Sequence, residues 1–313
     1  MNRQVLCFTK KVMLFISILA AICIALFFCS LVTPGDPNDY MHALLDKHEL
    51  MKSDAEKRVV FLGGSNLAFG LDSERIEKLY NVKVINFGLH AGLGLKFILR
   101  DSEKYIREGD IIIIVPEYEQ FFEAHLQGEK TLVDTIINVY PEGIKNIDFK
   151  QGISLLQYAP EVIKDDIIAV LKKSKATGVY QRSNFSNNGD MIGHLKERSN
   201  MEARPSKLGV INEEAAAILD KFADKMNKSN VQCYFMYPAV CESFYNVNNL
   251  EIMGLSSELS DKAGIDILCS PADFVFKDNL FYDSVYHLNK QGREIRTNKM
   301  IEILKAVIDN KKI

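Results

Sequence analysis

The chain has 313 residues, a formal net charge of −3, 47% hydrophobic side chains and 25% charged ones. That composition supports a packed core rather than disorder, with room for one large domain or two small ones. The slightly acidic balance and the lack of a long basic run argue against a nucleic-acid partner.

Residues 1–33 read as a cytoplasmic N-terminus and membrane anchor. Val12 to Val32 carries no charge, and at 1.5 Å per residue it is about 31 Å long as a helix, the thickness of a bilayer core. Arg3, Lys10 and Lys11 precede it, whereas Asp36 and Asp39 follow it. The positive-inside rule then leaves the N-terminus in the cytoplasm and the body outside. A cleaved signal peptide is the alternative. The length of the run and the absence of a small-x-small site favour an uncleaved, single-pass anchor.

Residues 34–57, with Pro34, Gly35 and Pro37, read as a tether. From residue 58 to 313 an extracytoplasmic domain is expected. Strands are expected at Arg58–Leu62, Val82–Phe87 and Ile111–Val115, with helices at Ser73–Tyr80 and Leu95–Arg107 between them. Ile111–Val115 is wholly aliphatic, as in a strand buried on both faces. The βαβαβ order predicts an α/β fold with a parallel sheet and helices on both sides.

The alternation stops between about 128 and 208. Pro160 can open a helix over Glu161–Lys173 with Val162, Ile163, Ile167, Val170 and Leu171 as its apolar positions. The polar run Ser183–Asp190 reads as a loop. This stretch reads as a mainly helical insertion that covers the site. The α/β pattern then resumes with a helical stripe (Ala215, Ile218, Leu219, Phe222, Met226) and a strand at Val231–Tyr237. A helix at Asn249–Lys262 and a short strand at Ile265–Leu268 follow. A final helix is capped by Asn289.

Of six cysteines, Cys7, Cys23 and Cys29 lie in or beside the apolar run. Cys233, Cys241 and Cys269 lie in the body, an odd number that implies no closed disulfide framework. Cys233 reads as a small core residue.

Two motifs carry chemistry. Phe61-Leu62-Gly63-Gly64-Ser65-Asn66 runs an apolar strand into two glycines and a serine. Asp283-Ser284-Val285-Tyr286-His287-Leu288-Asn289 puts an acid and a histidine just before the last helix. In open α/β sheets ligands bind beyond the carboxyl ends of the strands, so Ser65 is expected at that rim. An Asp–His pair orients an imidazole that takes a serine proton. Gly-x-Ser-x-Gly is not met, because Leu67 stands at the last position.

These blocks, with Asn86-Phe87-Gly88 after the second strand, resemble the SGNH (GDSL-like) hydrolases across residues 58 to about 308. The anchor, Tyr-His-Leu-Asn and the following Gly-Arg are similar to the membrane-anchored branch, with its teichoic-acid D-alanylation and alginate O-acetylation proteins. The resemblance implies a three-layer α/β/α fold with a flavodoxin-like parallel sheet. It implies a catalytic Ser65, Asp283 and His287, and acyl-ester chemistry at carbohydrate or lipid hydroxyls, beside a membrane-bound O-acyltransferase, with no metal or nucleotide cofactor. Oxyanion donors would be the Ser65 and Gly88 amides and Asn66.

The chain departs from the pattern twice. The third block ends in Val115-Pro116-Glu117-Tyr118-Glu119 rather than supplying an asparagine, and an ionised Glu117 cannot donate a hydrogen bond. The acid lies four residues before the histidine instead of three, with Asp278 as a fallback. Glu117, Tyr118, Asn188 and Asp190 are candidate site-lining residues, and Arg182 another for a sugar-binding rim. For the last three, solvated loop positions are the simpler reading. Arg293 and Arg296 are expected to serve the terminal helix or an ion pair.

The function expected is O-acyl transfer, most simply of acetyl, to a cell-surface polysaccharide or lipid-linked acceptor. A carbohydrate or lipid esterase, and a non-catalytic scaffold for a membrane-bound O-acyltransferase, are the alternatives.

Overall fold

The computed structural model describes residues 3–32, 36–172, 175–201 and 206–309. Five parallel strands form the central sheet: β1 (Arg58–Gly63), β2 (Lys83–Asn86), β3 (Ile111–Val115), β4 (Gln232–Phe235) and β6 (Asp266–Ile267). Their spatial order is β2-β1-β3-β4-β6. In register, Val60 lies opposite both Ile85 and Ile112. Residues 58–63 are buried throughout, as are 112–115, because helices cover both faces.

Helix α4 (Ser73–Tyr80) links β1 to β2, while α5 (Leu95–Glu103), α9 (Ala215–Lys228) and α11 (Asn249–Lys262) link the later strands. Right-handed crossovers put α4 on one face and the other three on the opposite face. The C-terminal α12 (Lys290–Ile308) packs beside α4 and the short α3 (Ser65–Gly70). Asn81 ends α4 in the left-handed conformation at φ 52° and turns the chain into β2. At the other end of β1, Arg58 is buried and forks onto Asp110, Nε to Oδ1 at 2.8 Å and Nη2 to Oδ2 at 2.5 Å.

Several expectations are revised. The tether expected at 34–57 is largely part of the body. A helix α2 (Ala43–Met51) buries Ala43, Leu44 and Met51 in the core, with Tyr40 and Met41 just ahead of it. Its apolar positions recur at helical spacing, which the proline-rich start of the segment obscured. The insertion holds α6 (Lys130–Asn138), α7 (Phe149–Leu155) and α8 (Ala159–Lys172), and no strand pairs into the sheet from it among the described residues. A second, two-stranded parallel sheet of β5 (Val240–Cys241) and β7 (Val275–Phe276) was not legible, because two-residue strands show no period. Cys233, Cys241 and Cys269 are free thiols.

The uncharged run 12–32 lies within a helix α1, Arg3–Val32. Its side chains from 22 to 32 fall outside the described residues. Among the described residues no helix is long and apolar enough to cross a membrane. Those of its apolar side chains that are described, Phe8, Met13, Leu14, Phe15, Ile16 and Ile18 among them, are exposed.

Candidate active site

The strand order reverses between β1 and β3, the place where a doubly wound sheet opens a crevice at its carboxyl edge. Ser65 leaves the end of β1 and Glu117 leaves the end of β3. Close contact between these ends explains the two glycines. A Cβ on Gly63 would lie 2.2 Å from the Val115 carbonyl oxygen, and one on Gly64 2.7 Å from Glu117 Oε1.

Ser65 and His287, 222 positions apart, meet with Oγ 2.8 Å from Nε2. Asp283 Oδ1 lies 2.8 Å from His287 Nδ1, so the four-residue spacing does not separate them. Asp278 is elsewhere, accepting from the Ser243 amide at 3.0 Å. Both Ser65 and His287 are 8% exposed. Burial raises the Asp283 carboxyl, but hydrogen bonds from His287 and Tyr180 outweigh that and hold it below the usual carboxylate range.

Three residues at this site were not singled out from sequence. Tyr180, from the insertion, donates its hydroxyl to Asp283 Oδ2 at 2.6 Å, and the same hydroxyl lies 3.3 Å from His287 Nδ1, so it ties the acid beside the imidazole. Burial and that carboxylate push the Tyr180 phenol up. Phe69 stacks flat on His287, with centroids 4.0 Å apart and 10° between planes. His194 also packs on Phe69, with centroids 4.8 Å apart and 48° between planes. The signal that could have pointed to Phe69 is an aromatic four residues after Ser65; Tyr180 and His194 lie in loops without periodicity.

The expected oxyanion donors are placed differently from one another. The Ser65 amide is the first of α3 and has no acceptor within its own helix. The Gly88 amide donates to Asn86 Oδ1 at 3.0 Å, and the Asn66 side chain donates to the Val115 carbonyl at 2.9 Å. The Asn66 backbone amide donates to Glu117 Oε1 at 2.8 Å. Glu117 is therefore at the site: its Oε1 also accepts from Ser65 Oγ at 2.8 Å.

Tyr118 is not at the site. Its ring is buried against Tyr237 and Phe244, and its hydroxyl makes no hydrogen bond. Asn188 and Asp190 are neither rim nor solvated loop. Asp190 is buried and accepts from Ser73, Asn86 and Arg293; Asn188 donates to the Val84 carbonyl at 2.9 Å and to Glu77 at 2.7 Å. Both close the loop onto β2 and α4. Arg182 pairs with Asp46 of α2. Arg293 reaches the Leu71 carbonyl, and Arg296 is buried against Asn66. Among the described residues no cluster of histidine, cysteine and carboxylate side chains could hold a metal ion.

No protein-family model matches the sequence. No curated protein matches it either. Among solved structures it is similar to a protein from Desulfitobacterium hafniense DCB-2 described as lipolytic and of the G-D-S-L family, at 11% identity and a TM-score of 0.35. That likeness covers 79% of this chain and 99% of the other. Values of that size leave the function to be argued from this chain's own geometry.

Proposed function

We propose that the protein is a serine esterase or acyltransferase of SGNH type, with Ser65 as nucleophile, His287 as general base and acid, and Asp283 as the group that orients His287. One observation carries the reading: a hydroxyl, an imidazole and a carboxylate in line at 2.8 Å and 2.8 Å, at the carboxyl edge of a parallel sheet. Ser65 Oγ bonds to the acyl carbon of an ester while its proton passes to His287 Nε2. That proton then goes to the departing alkoxide as the ester C–O bond breaks. Asp283 stabilises the imidazolium between these steps. Water or a second hydroxyl attacks the acyl-serine by the same route.

Transfer to a hydroxyl of a cell-surface glycan or lipid-linked acceptor, most simply of an acetyl group, is the finer reading. Tyr180 brings the insertion to the acid of the triad, and an insertion that closed over the site would exclude water and favour transfer over hydrolysis. The exposed apolar side chains of α1 and the uncharged run 12–32 support a single-pass anchor with the catalytic domain outside the cell membrane, next to a membrane-bound O-acyltransferase. An anchor raises the effective concentration of such a partner.

The test is labelling of the full chain with a fluorophosphonate, alongside hydrolysis of p-nitrophenyl acetate. Wild type is expected to label and turn over, with losses on the order of 10⁴-fold or more in Ser65→Ala and His287→Ala. Equal labelling of all three proteins would remove Ser65 as nucleophile. Acetate appearing on an added glycan rather than in solution distinguishes transfer from hydrolysis.

A further inference from the structure

Ser65 Oγ has one proton and two neighbours at the same 2.8 Å able to accept it, His287 Nε2 and Glu117 Oε1. An ionised carboxylate only accepts. With Glu117 ionised, the hydroxyl proton points at Glu117, and His287 must present Nε2–H to Ser65. Its Nδ1 faces a second acceptor, Asp283. The imidazole is then doubly protonated and has no lone pair for the serine proton. Passing the hydroxyl proton to Glu117 and the Nε2 proton to Ser65 Oγ keeps the proton count. It leaves a neutral Glu117 and a neutral imidazole facing the hydroxyl.

The position of Glu117 makes its protonation matter. Oε1 also accepts the Asn66 amide at 2.8 Å, so it lies beside the donors that an acyl oxygen would meet as Ser65 bonds to its carbon. A carboxylate there would face a growing negative charge at about 3 Å and oppose it. A carboxylic acid there is a donor, the role a buried neutral carboxyl can play in an oxyanion site.

We infer that Glu117 is a catalytic group of this site, acting as a neutral acid that donates a hydrogen bond to the acyl oxygen while His287 takes the Ser65 proton. The inference rests on the serine acyl-transfer reading. In the step, the Ser65 Oγ–C bond forms, the C=O pair moves onto oxygen, and the Oγ proton goes to Nε2. The negative oxygen accepts from Glu117 O–H and the Ser65 amide, and collapse expels the alkoxide, which takes the Nε2 proton.

The charged and titratable groups around Glu117 come from every neighbouring element. His287 faces it through Ser65, and His90 from the segment after β2. Tyr40 stands ahead of α2, and Tyr286 and Glu119 lie behind it. Arg296 acts from α12. Glu119 is itself raised to about 7 by burial, so it needs its own control.

The experiment measures kcat/KM for p-nitrophenyl acetate against pH, and fluorophosphonate labelling at Ser65, for wild type, Glu117→Gln, Glu117→Ala and Glu119→Gln. Wild type is expected to give a bell, because activity needs one proton shared by Glu117 and His287. Glu117→Gln, an amide donor, keeps activity within about tenfold and loses the alkaline limb. Glu117→Ala falls about 10²–10³-fold, and Glu119→Gln keeps both limbs. Thermal unfolding confirms that each variant is folded. Equal losses in the Gln and Ala variants, a Glu117→Ala enzyme faster than wild type, or an alkaline limb that persists in Glu117→Gln would each overturn the assignment while leaving Ser65 in place. Failure of wild type to label at Ser65 would overturn it together with the serine reading.

Discussion

One guanidinium grips the residue that follows Ser65 in two places. Arg296 Nη2 donates to Asn66 Oδ1 at 2.9 Å, and Nη1 donates to the Asn66 carbonyl. Asn66 in turn donates to the Val115 carbonyl, so α12, α3 and the end of β3 are tied through one side chain. Arg296 has no exposed surface, and burial lowers its guanidinium to about 10. Gly70 makes the room: a Cβ there would sit 2.3 Å from Nη1.

Arg296→Lys cannot reproduce a fork with one ammonium. It should leave Asn66 acceptors unpaired in the interior and cost about 2–4 kcal/mol. Urea denaturation measures the loss, and Gly70→Ala should destabilise in the same direction. Retention of wild-type stability in Arg296→Lys would show the fork to be dispensable.

Tyr180→Phe removes the hydrogen bond to Asp283 and the 3.3 Å contact with His287 Nδ1, and nothing from the core. Stability should change by about 1 kcal/mol or less, while kcat falls about tenfold because the acid that orients His287 is less restrained. Asp283→Asn should fall much further, by about 10⁴-fold. If Tyr180→Phe and wild type have the same kcat, the insertion has no part in holding the triad.

Phe69 presents one ring face to His287 and lies in the core. Phe69→Leu fills most of the volume but loses the flat surface that sets the imidazole plane. A drop in kcat of about 10-fold is expected alongside a stability loss of about 1–1.5 kcal/mol. Phe69→Ala should cost about 3–5 kcal/mol. Calorimetry and initial rates on the same preparations separate the two effects.

His194 supplies a pH dependence of stability. Its Nε2 lies 2.9 Å from the Leu288 carbonyl, which only accepts, so Nε2 carries the proton. Nδ1 is then the bare nitrogen, buried with no partner, and burial lowers the group to about 4. Below 6.5 the unfolded chain takes up a proton that the folded chain refuses. Stability is therefore full above about 6.5 and falls between 6.5 and 4, by up to about 3 kcal/mol. His194→Gln should flatten that part of the curve relative to wild type. Parallel curves would show that the histidine ionises freely in the fold.

Local chemistry places the inner strands and the ends of two helices. Strands β1 and β3 stand where Val59–Leu62 and Ile111–Val115 are apolar on both faces, since only a strand covered on two sides can bury such a run. Helix α4 ends where Asn81 accepts a left-handed turn, and α12 begins where Asn289 accepts from the Gln291 and Gly292 amides. Ser65, Asp283, His287 and Glu117 were each conspicuous by residue type and place. What the tertiary structure alone decided is which of them touch. Parallel pairing of β1 with β3 brings Ser65 to Glu117, and the segment just ahead of α12 brings His287 to Ser65. The same packing buries Asn188 and Asp190 as internal ties and draws α2 out of an apparent tether. Spacing along a chain reports which side chains share a face, but contacts between segments 52 or 222 positions apart depend on strand order and crossover hand, which no local pattern encodes.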